Sequence, residues 1–298
     1  MRIPCLTFRI ACFISNHRVY SIRNQMRLSP SHLHKSKLSV NKERKTKMVY
    51  PERFAGKVAV ISGGTSGIGR EIVNQFVRDG GKIVVGARHD TNFEEITKEL
   101  GAENVYCQIC DIANRPQVDA LIQAAYDKFG GFDIMFGNAG INLFKDFLEI
   151  TEEEHDTVIK NNYYGAFNTT QAAARAFVAH GTPGVIINTA SINCRVACPN
   201  STPYAASKGA VKMMSQGAAV ELAQYGIRVN CIAPGSTDTP MVKDSARERF
   251  PTYTAPKLIL PRMARPSEPA SLALFLASDD ASYITGEIVY CVGGWGLK

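Results

Sequence analysis

Tyr204 and Lys208 stand four residues apart in YAASKGAVK, with only small side chains between them. On a helix, positions i and i+4 share a face, so the phenol and the ammonium would point the same way. A phenol ordinarily titrates near pH 10, too high to take up and release a proton near neutrality. A cation held beside it favours the phenolate and lowers that value, which makes the tyrosine an acid–base group. The same spacing arises by chance on exposed helix faces, so the pair takes its meaning from its surroundings. Ser191, thirteen residues upstream, ends an apolar run and offers a hydroxyl that could serve the same site.

Those side chains need a frame, and the chain supplies one by alternation. Short β-rich runs occur at KVAVIS (57–62), KIVVGA (82–87), NVYCQIC (104–110), FDIMFG (132–137), GVIINTA (184–190), IRVNCIA (227–233) and GEIVYCV (286–292). Stretches with apolar residues at helical spacing separate most of them, including a long one over about 151–180 and another over 203–226 that carries Tyr204 and Lys208. This pattern predicts an α/β fold: a single doubly wound parallel seven-stranded sheet of Rossmann type, with helices on both faces. No repeat or linker follows residue 50, so residues 48–298 read as one domain. In such sheets ligands bind beyond the C-terminal ends of the strands.

The strand ends carry the chemistry. After the first run comes SGGTSGIG, in which Gly63, Gly67 and Gly69 leave room for a tight turn, a pyrophosphate and a helix packed on the sheet. The helix N-terminus beyond supplies N–H groups and the positive end of a dipole to phosphates. The second run ends at Ala87, where an NAD site would place an acid for the ribose 2′-hydroxyl, and Arg88 follows at once. A guanidinium there suits a 2′-phosphate and favours NADP, with NAD as the alternative through Asp90. Asp111 closes the third run and could accept from an adenine amino group. Small residues in GNAG (137–140) let a cofactor lie on the backbone, and Pro234–Gly235 turn the chain after the sixth run.

SGGTSGIG, CDI, GNAG, NNYYG (161–165), Ser191, YAASK and PGSTDT (234–239) stand together in an order and spacing that resemble the classical short-chain dehydrogenase/reductase family over about residues 52–295. The narrower likeness is to hydroxysteroid-dehydrogenase-type members. The resemblance implies four catalytic residues: Tyr204 as general acid or base, Lys208 lowering its pKa and holding the nicotinamide ribose, Ser191 on the substrate oxygen, and Asn162 holding a water in a proton relay. It implies cofactor contacts from Gly63, Thr65, Ser66, Gly67, Ile68, Gly69, Arg88, Asp111, Ile112, Asn138, Ala139, Gly140, Tyr204, Lys208, Pro234, Gly235 and Thr239. The expected reaction is hydride transfer between NADP(H) and a secondary alcohol or ketone of apolar, steroid-like character. The sequence departs from the family at Ser62, commonly Thr, and at Gly137, often Asn. The glycine loop also lacks the basic residue that NADP-preferring members often carry. An NAD-dependent alcohol dehydrogenase is the nearest alternative, and a non-catalytic dinucleotide-binding regulator is the alternative of another class.

Beyond the glycine-turn at 234–235, residues 240–266 have mixed polarity and read as a helix-loop lid. Its Met241, Val242, Phe250 and Tyr253, with Leu143 and Phe144, suggest an apolar pocket. No run of about 18 apolar residues exists to span a membrane. Residues 1–47 hold eleven Lys and Arg against one acid, Glu43, whereas the remaining 251 residues hold 23 bases and 26 acids. That front end reads either as a transit-like extension, which would direct the protein to mitochondria, or as no part of a cytoplasmic working protein. The body offers no basic motif for nucleic acid. CQIC (107–110) would place its thiols on opposite sides of a strand, and no second pair completes a metal site. The partner is thus a small carbonyl or alcohol, and a homodimer or homotetramer is expected from the family.

Overall fold

All seven β-rich runs become strands: β1 (Val58–Ser62), β2 (Lys82–Ala87), β3 (Val105–Ile109), β4 (Ile134–Gly137), β5 (Gly184–Thr189), β6 (Ile227–Pro234) and β7 (Ile288–Cys291). The computed structural model describes residues 52–297; the expected basic extension at 1–47 lies outside the described residues. The strands pair in parallel in the order β3-β2-β1-β4-β5-β6-β7, so the order reverses at β1. Such a reversal opens a crevice at the strand ends.

Alternation along β1 sends Ala59 and Ile61 to one face and Val58 and Val60 to the other, all of them buried. The helices α1 (Gly67–Arg78) and α8 (Ser267–Ala277) cover the first face, while α2 (Phe93–Leu100) lies beside β3. The second face is covered by α3 (Arg115–Phe129), α5 (Gly165–His180) and α6 (Thr202–Leu222). With both faces covered, strands need no polar alternation, which explains their near-continuous apolar runs. Cys107 packs into the first core layer and Cys110 into the second, as a strand's two-residue period requires.

The long helix expected over 151–180 is interrupted. Thr151 and Glu154 form a reciprocal cap that starts α4 (Glu152–Ile159), and a widened π turn over Lys160–Tyr164 joins it to α5. Single π turns of this kind often mark functional sites.

Register brings the functional strand ends level. Ser62 lies beside Gly86 on one side and Gly137 on the other, and Gly137 lies beside Asn188. A Cβ at Gly137 would sit 2.2 Å from Asn188 Oδ1. Asn188 is fully buried, and its amide donates to Thr170 Oγ1 (3.0 Å) and Ser215 Oγ (2.9 Å). The side chain missing at position 137 is thus replaced by one reaching across from β5.

Candidate active site

Beyond the strand ends lies a cavity of about 850 Å³, near the upper end of the roughly 300–1,000 Å³ range of ligand clefts. Its floor is the glycine loop. Gly63 takes φ +72° and Gly67 φ +54°, where a side chain is strained, and a Cβ at Gly63 would lie 2.8 Å from Ala139 Cα. Ser62 Oγ accepts from the Asn138 and Ala139 N–H groups (3.2 and 3.3 Å), tying β1 to GNAG. The Asn138 amide donates to Gly63 O (2.9 Å) and accepts from Thr189 Oγ1 (3.3 Å), extending the tie to β5.

The N-terminus of α1 has no side-chain cap and no acid in its first turn. Its opening N–H groups are therefore free of side-chain competition for a phosphate, and the glycines leave the backbone bare for close approach. The donor set fits a dinucleotide. Thr65, Ser66, Gly67 and Ile68 line the cavity; Gly69 lies behind them, where the helix meets the loop. Arg88 is exposed on the wall, with Nη1 3.5 Å from Asn161 Oδ1, whereas Asp90 is not on the wall. Although the body of the chain is rich in acids, no Asp or Glu among the described residues lines this cavity.

Ile112, Asn138, Ala139, Gly140, Pro234, Gly235 and Thr239 all reach the wall. Asp111 does not: its Oδ1 accepts from Ala113 N–H (3.0 Å) in a tight turn. Leu143 is likewise absent from the wall, while Phe144, Met241, Val242, Phe250 and Tyr253 are present.

Ser191, Tyr204 and Lys208 converge on the cavity's inner end. The helix α6 carries Tyr204 and Lys208 on one face, the ammonium 5.7 Å from the centre of the phenol ring. Lys208 Nζ donates to Thr189 O (2.7 Å), and the Ser191 hydroxyl acts on the Tyr204 hydroxyl strongly enough to favour its ionised form. Asn162, on the π turn, is buried and does not line the cavity. Its Oδ1 accepts from Ile141 N–H (2.8 Å), and its Nδ2 donates to Ile141 O (2.9 Å) and Ser207 Oγ (3.0 Å). Both amide hydrogens are used, so the side chain braces the backbone beside Gly140.

In the protein without cofactor, burial governs the titration of both groups. Burial pushes the Tyr204 hydroxyl above its ordinary value, opposed by the bond from Ser191, with the neighbouring Cys194 thiol adding to the rise. Burial also pulls Lys208 down to about 8. The lysine does not make the tyrosine acidic in the cofactor-free protein, because desolvation disfavours the charged form of each. Tyr204 is only half-buried and open to the cavity, so solvent there offsets part of its rise.

This has a consequence for stability. Lys208 is almost fully buried, and a fall from 10.5 to about 8 corresponds to roughly 3 kcal/mol at neutral pH. Replacing Lys208 by Met removes that cost and about 1 kcal/mol of hydrogen bonding to Thr189. The cofactor-free Lys208→Met protein should be about 2 kcal/mol more stable than wild type at pH 7. Between pH 8 and 10.5 the unfolded chain holds a proton that the folded one has lost, so wild-type stability rises with pH relative to the variant. Urea unfolding at pH 7 and 9.5 measures this; a gap that does not narrow would contradict it.

Several wall residues carried no signal in the sequence. Trp295, the chain's one tryptophan, returns from the C-terminal end after Ile259 and Leu260 N–H groups bond to Gly293 O (both 3.0 Å). The segment over 240–263 leaves and rejoins the body at one place: Asp238 N–H donates to Ala264 O and Ala264 N–H to Ser236 O (both 2.9 Å). Within it, α7 (Asp244–Arg249) runs on through turns to Lys257.

The family model described as enoyl-(acyl carrier protein) reductase matches residues 63–296. An uncharacterised oxidoreductase of Mycobacterium bovis is 38% identical over 239 residues, covering 80% of this chain and 96% of the relative. Among solved structures, a short-chain type dehydrogenase/reductase from Mycobacterium marinum superposes with a TM-score of 0.78 at 33% identity, covering 84% of this chain and 98% of that one. A 3-ketoacyl-(acyl-carrier-protein) reductase from Brucella melitensis, complexed with NADH, gives 0.74 at 32% identity, covering 81% and 98%.

Proposed function

The chain belongs to the short-chain dehydrogenase/reductase family, and from that premise we propose that it is an NADP-preferring oxidoreductase of ketones and secondary alcohols. The observation that carries the reading is the convergence of Ser191, Tyr204 and Lys208 beside an acid-free cavity floored by the glycine loop. The nicotinamide supplies the hydride in reduction and accepts it in oxidation. Tyr204 Oη gives its proton to the carbonyl oxygen as the carbon is reduced, and withdraws it from the alcohol in the reverse direction. Ser191 Oγ donates to the same oxygen and steadies the charge developing there. Lys208 holds the nicotinamide ribose hydroxyls from its place beside Thr189 O. Asn162 ties Ile141 to Ser207 of α6 and holds a water that links Lys208 to solvent.

Thr65 to Gly69, with the α1 N-terminus, receive the pyrophosphate, and Arg88 receives the 2′-phosphate. Asp111 acts through the turn it caps, and Thr239 supports the carboxamide. The hinge at Ser236–Asp238 and Ala264 supports a lid over 240–266, whose apolar side chains cover the body of the substrate. Exposed Tyr164 and Phe167 on the α5 side, and Met213 and Val220 on α6, support assembly into a homodimer or homotetramer.

Cofactor choice is tested by titrating NADPH and NADH against the wild type and Arg88→Ala. A charge-assisted pair with the 2′-phosphate, at about 1.5–3 kcal/mol, predicts an NADPH affinity lowered roughly 10- to 100-fold with little change for NADH. Wild-type preference for NADH, the cofactor of the Brucella melitensis relative, would replace the NADP reading with the NAD one.

A further inference from the structure

Arg249 and Lys257 flank one ring on the lid side of the cavity. The Arg249 guanidinium carbon lies 5.5 Å from the centre of the Tyr253 ring, and the Lys257 ammonium lies 3.5 Å from it. The same ammonium lies 5.7 Å from the ring centre of Trp295. Arg249, Tyr253 and Trp295 line the cavity. Of the other cations here, Arg247 is matched with Asp238, and Arg262 and Arg265 with Glu268, whereas Lys243 on the same wall has no carboxylate partner among the described residues. Among the described residues, neither Arg249 nor Lys257 has a carboxylate partner. A cation at a helix end is ordinarily explained by the dipole, but α7 continues into further turns past Arg249, so no free carbonyl end faces it.

Resting on the oxidoreductase reading, we propose that the substrate carries an acidic group, a carboxylate on a largely apolar body, and that Arg249 receives it on the cavity wall, with the Lys257 charge on the same Tyr253 ring, itself off the wall, adding to the attraction. Aromatic faces hold both cations in place without neutralising them, which leaves their charge available to a ligand. A guanidinium takes a carboxylate by two parallel hydrogen bonds, and the ammonium adds a second point of charge. The apolar wall of Met241, Val242 and Phe250 then contacts the carbon skeleton. The phosphates of the cofactor have their own partners on the glycine loop and at Arg88, away from this group on the chain. The expected substrate is therefore an oxo acid or hydroxy acid rather than a neutral ketone.

The test uses linear and aryl oxo acids of three to ten carbons, each paired with its methyl ester. Initial rates with NADPH are measured for wild type, Arg249→Ala and Arg249→Glu. Binding to the NADP⁺-loaded enzyme is followed separately by the emission of Trp295. Wild type should prefer the acid of the best pair at least tenfold in kcat/KM, mostly through KM, and bind it correspondingly more tightly. The preference should fall towards unity in Arg249→Ala and reverse in Arg249→Glu. Equal use of acid and ester, or a preference that survives Arg249→Glu, would overturn the proposal while leaving the oxidoreductase reading intact. A tenfold loss of NADPH affinity in Arg249→Glu would also overturn it, by assigning the cation to the cofactor. Hydride transfer to no member of the panel would remove both.

Discussion

Tyr204→Phe is expected to lose at least 10³-fold in kcat for carbonyl reduction while binding NADPH within about threefold of wild type. The substitution removes one oxygen and leaves the ring, which lies on α6 beside the Lys208 ammonium, in place. What disappears is the proton that the reduced oxygen needs, together with the hydroxyl on which Ser191 acts. No other group stands in: Lys208 is turned to Thr189 O, and Asn162 is fully engaged with Ile141 and Ser207. Direction sharpens the expectation. Burial raises the Tyr204 pKa, so the phenol is the resting form near neutrality and reduction should be flat with pH there. Alcohol oxidation, which needs the phenolate, should rise as pH increases. Paired kcat–pH profiles in both directions measure this. A Tyr204→Phe protein retaining more than a tenth of wild-type kcat would place the acid elsewhere. Tight cofactor binding with no turnover even in wild type would point to a regulator instead.

The frame of this site was legible because periodicity reports which face of an element is buried. The apolar runs at 58–62 and 82–87 are fully or almost fully buried strands, and the glycines at 63, 67 and 69 stand where a turn and a helix start demand them. The register then levels Ser62 with Gly86 and Gly137, which no linear reading states but which parallel pairing compels. Other features depend on three-dimensional neighbours. Spacing reveals Lys208 beside Tyr204, yet it does not reveal how far both groups are removed from water before the cofactor binds. The resemblance implies a water held by Asn162, and the structure adds bonds that spacing does not show, between its side chain and the Ile141 backbone. Asp111, expected near the adenine, also has a local role that spacing does not show, accepting from the Ala113 N–H in its own turn. The departure at Gly137 likewise has its explanation across the sheet, where Asn188 of β5 fills the space a side chain would take. Trp295 carries no pattern in the sequence, since only the packing of the chain's end against 259–260 brings it to the cavity.

A single methyl group at Gly69 should disable the site more completely than any change to a charged residue of the cofactor wall. A Cβ there would stand 2.0 Å from Gly63 O, 2.9 Å from Gly63 C and 2.6 Å from Asn138 Nδ2. Two of those atoms are backbone, so no rotamer change relieves the overlap, and overpacking of this kind costs about 1–3 kcal/mol or more. The strain has a defined route. Asn138 holds Gly63 O and Thr189 Oγ1, and the Thr189 carbonyl holds Lys208, so displacing Asn138 loosens the phosphate loop and the catalytic lysine together. Gly69→Ala should therefore lower NADPH affinity at least 100-fold and kcat with it, and shift urea unfolding by about 3 kcal/mol. Gly209 on α6 provides the contrast: a Cβ there meets nothing within 4 Å. Gly209→Ala should instead stabilise the protein by about 0.5–1 kcal/mol, because alanine loses less backbone freedom on entering a helix. NADPH titration and urea unfolding of the two variants side by side separate a local cradle from a general intolerance of added bulk. If Gly69→Ala binds NADPH within threefold of wild type, the contact between the glycine loop and α1 is looser than these distances require, and the cofactor must be held chiefly by the outer wall.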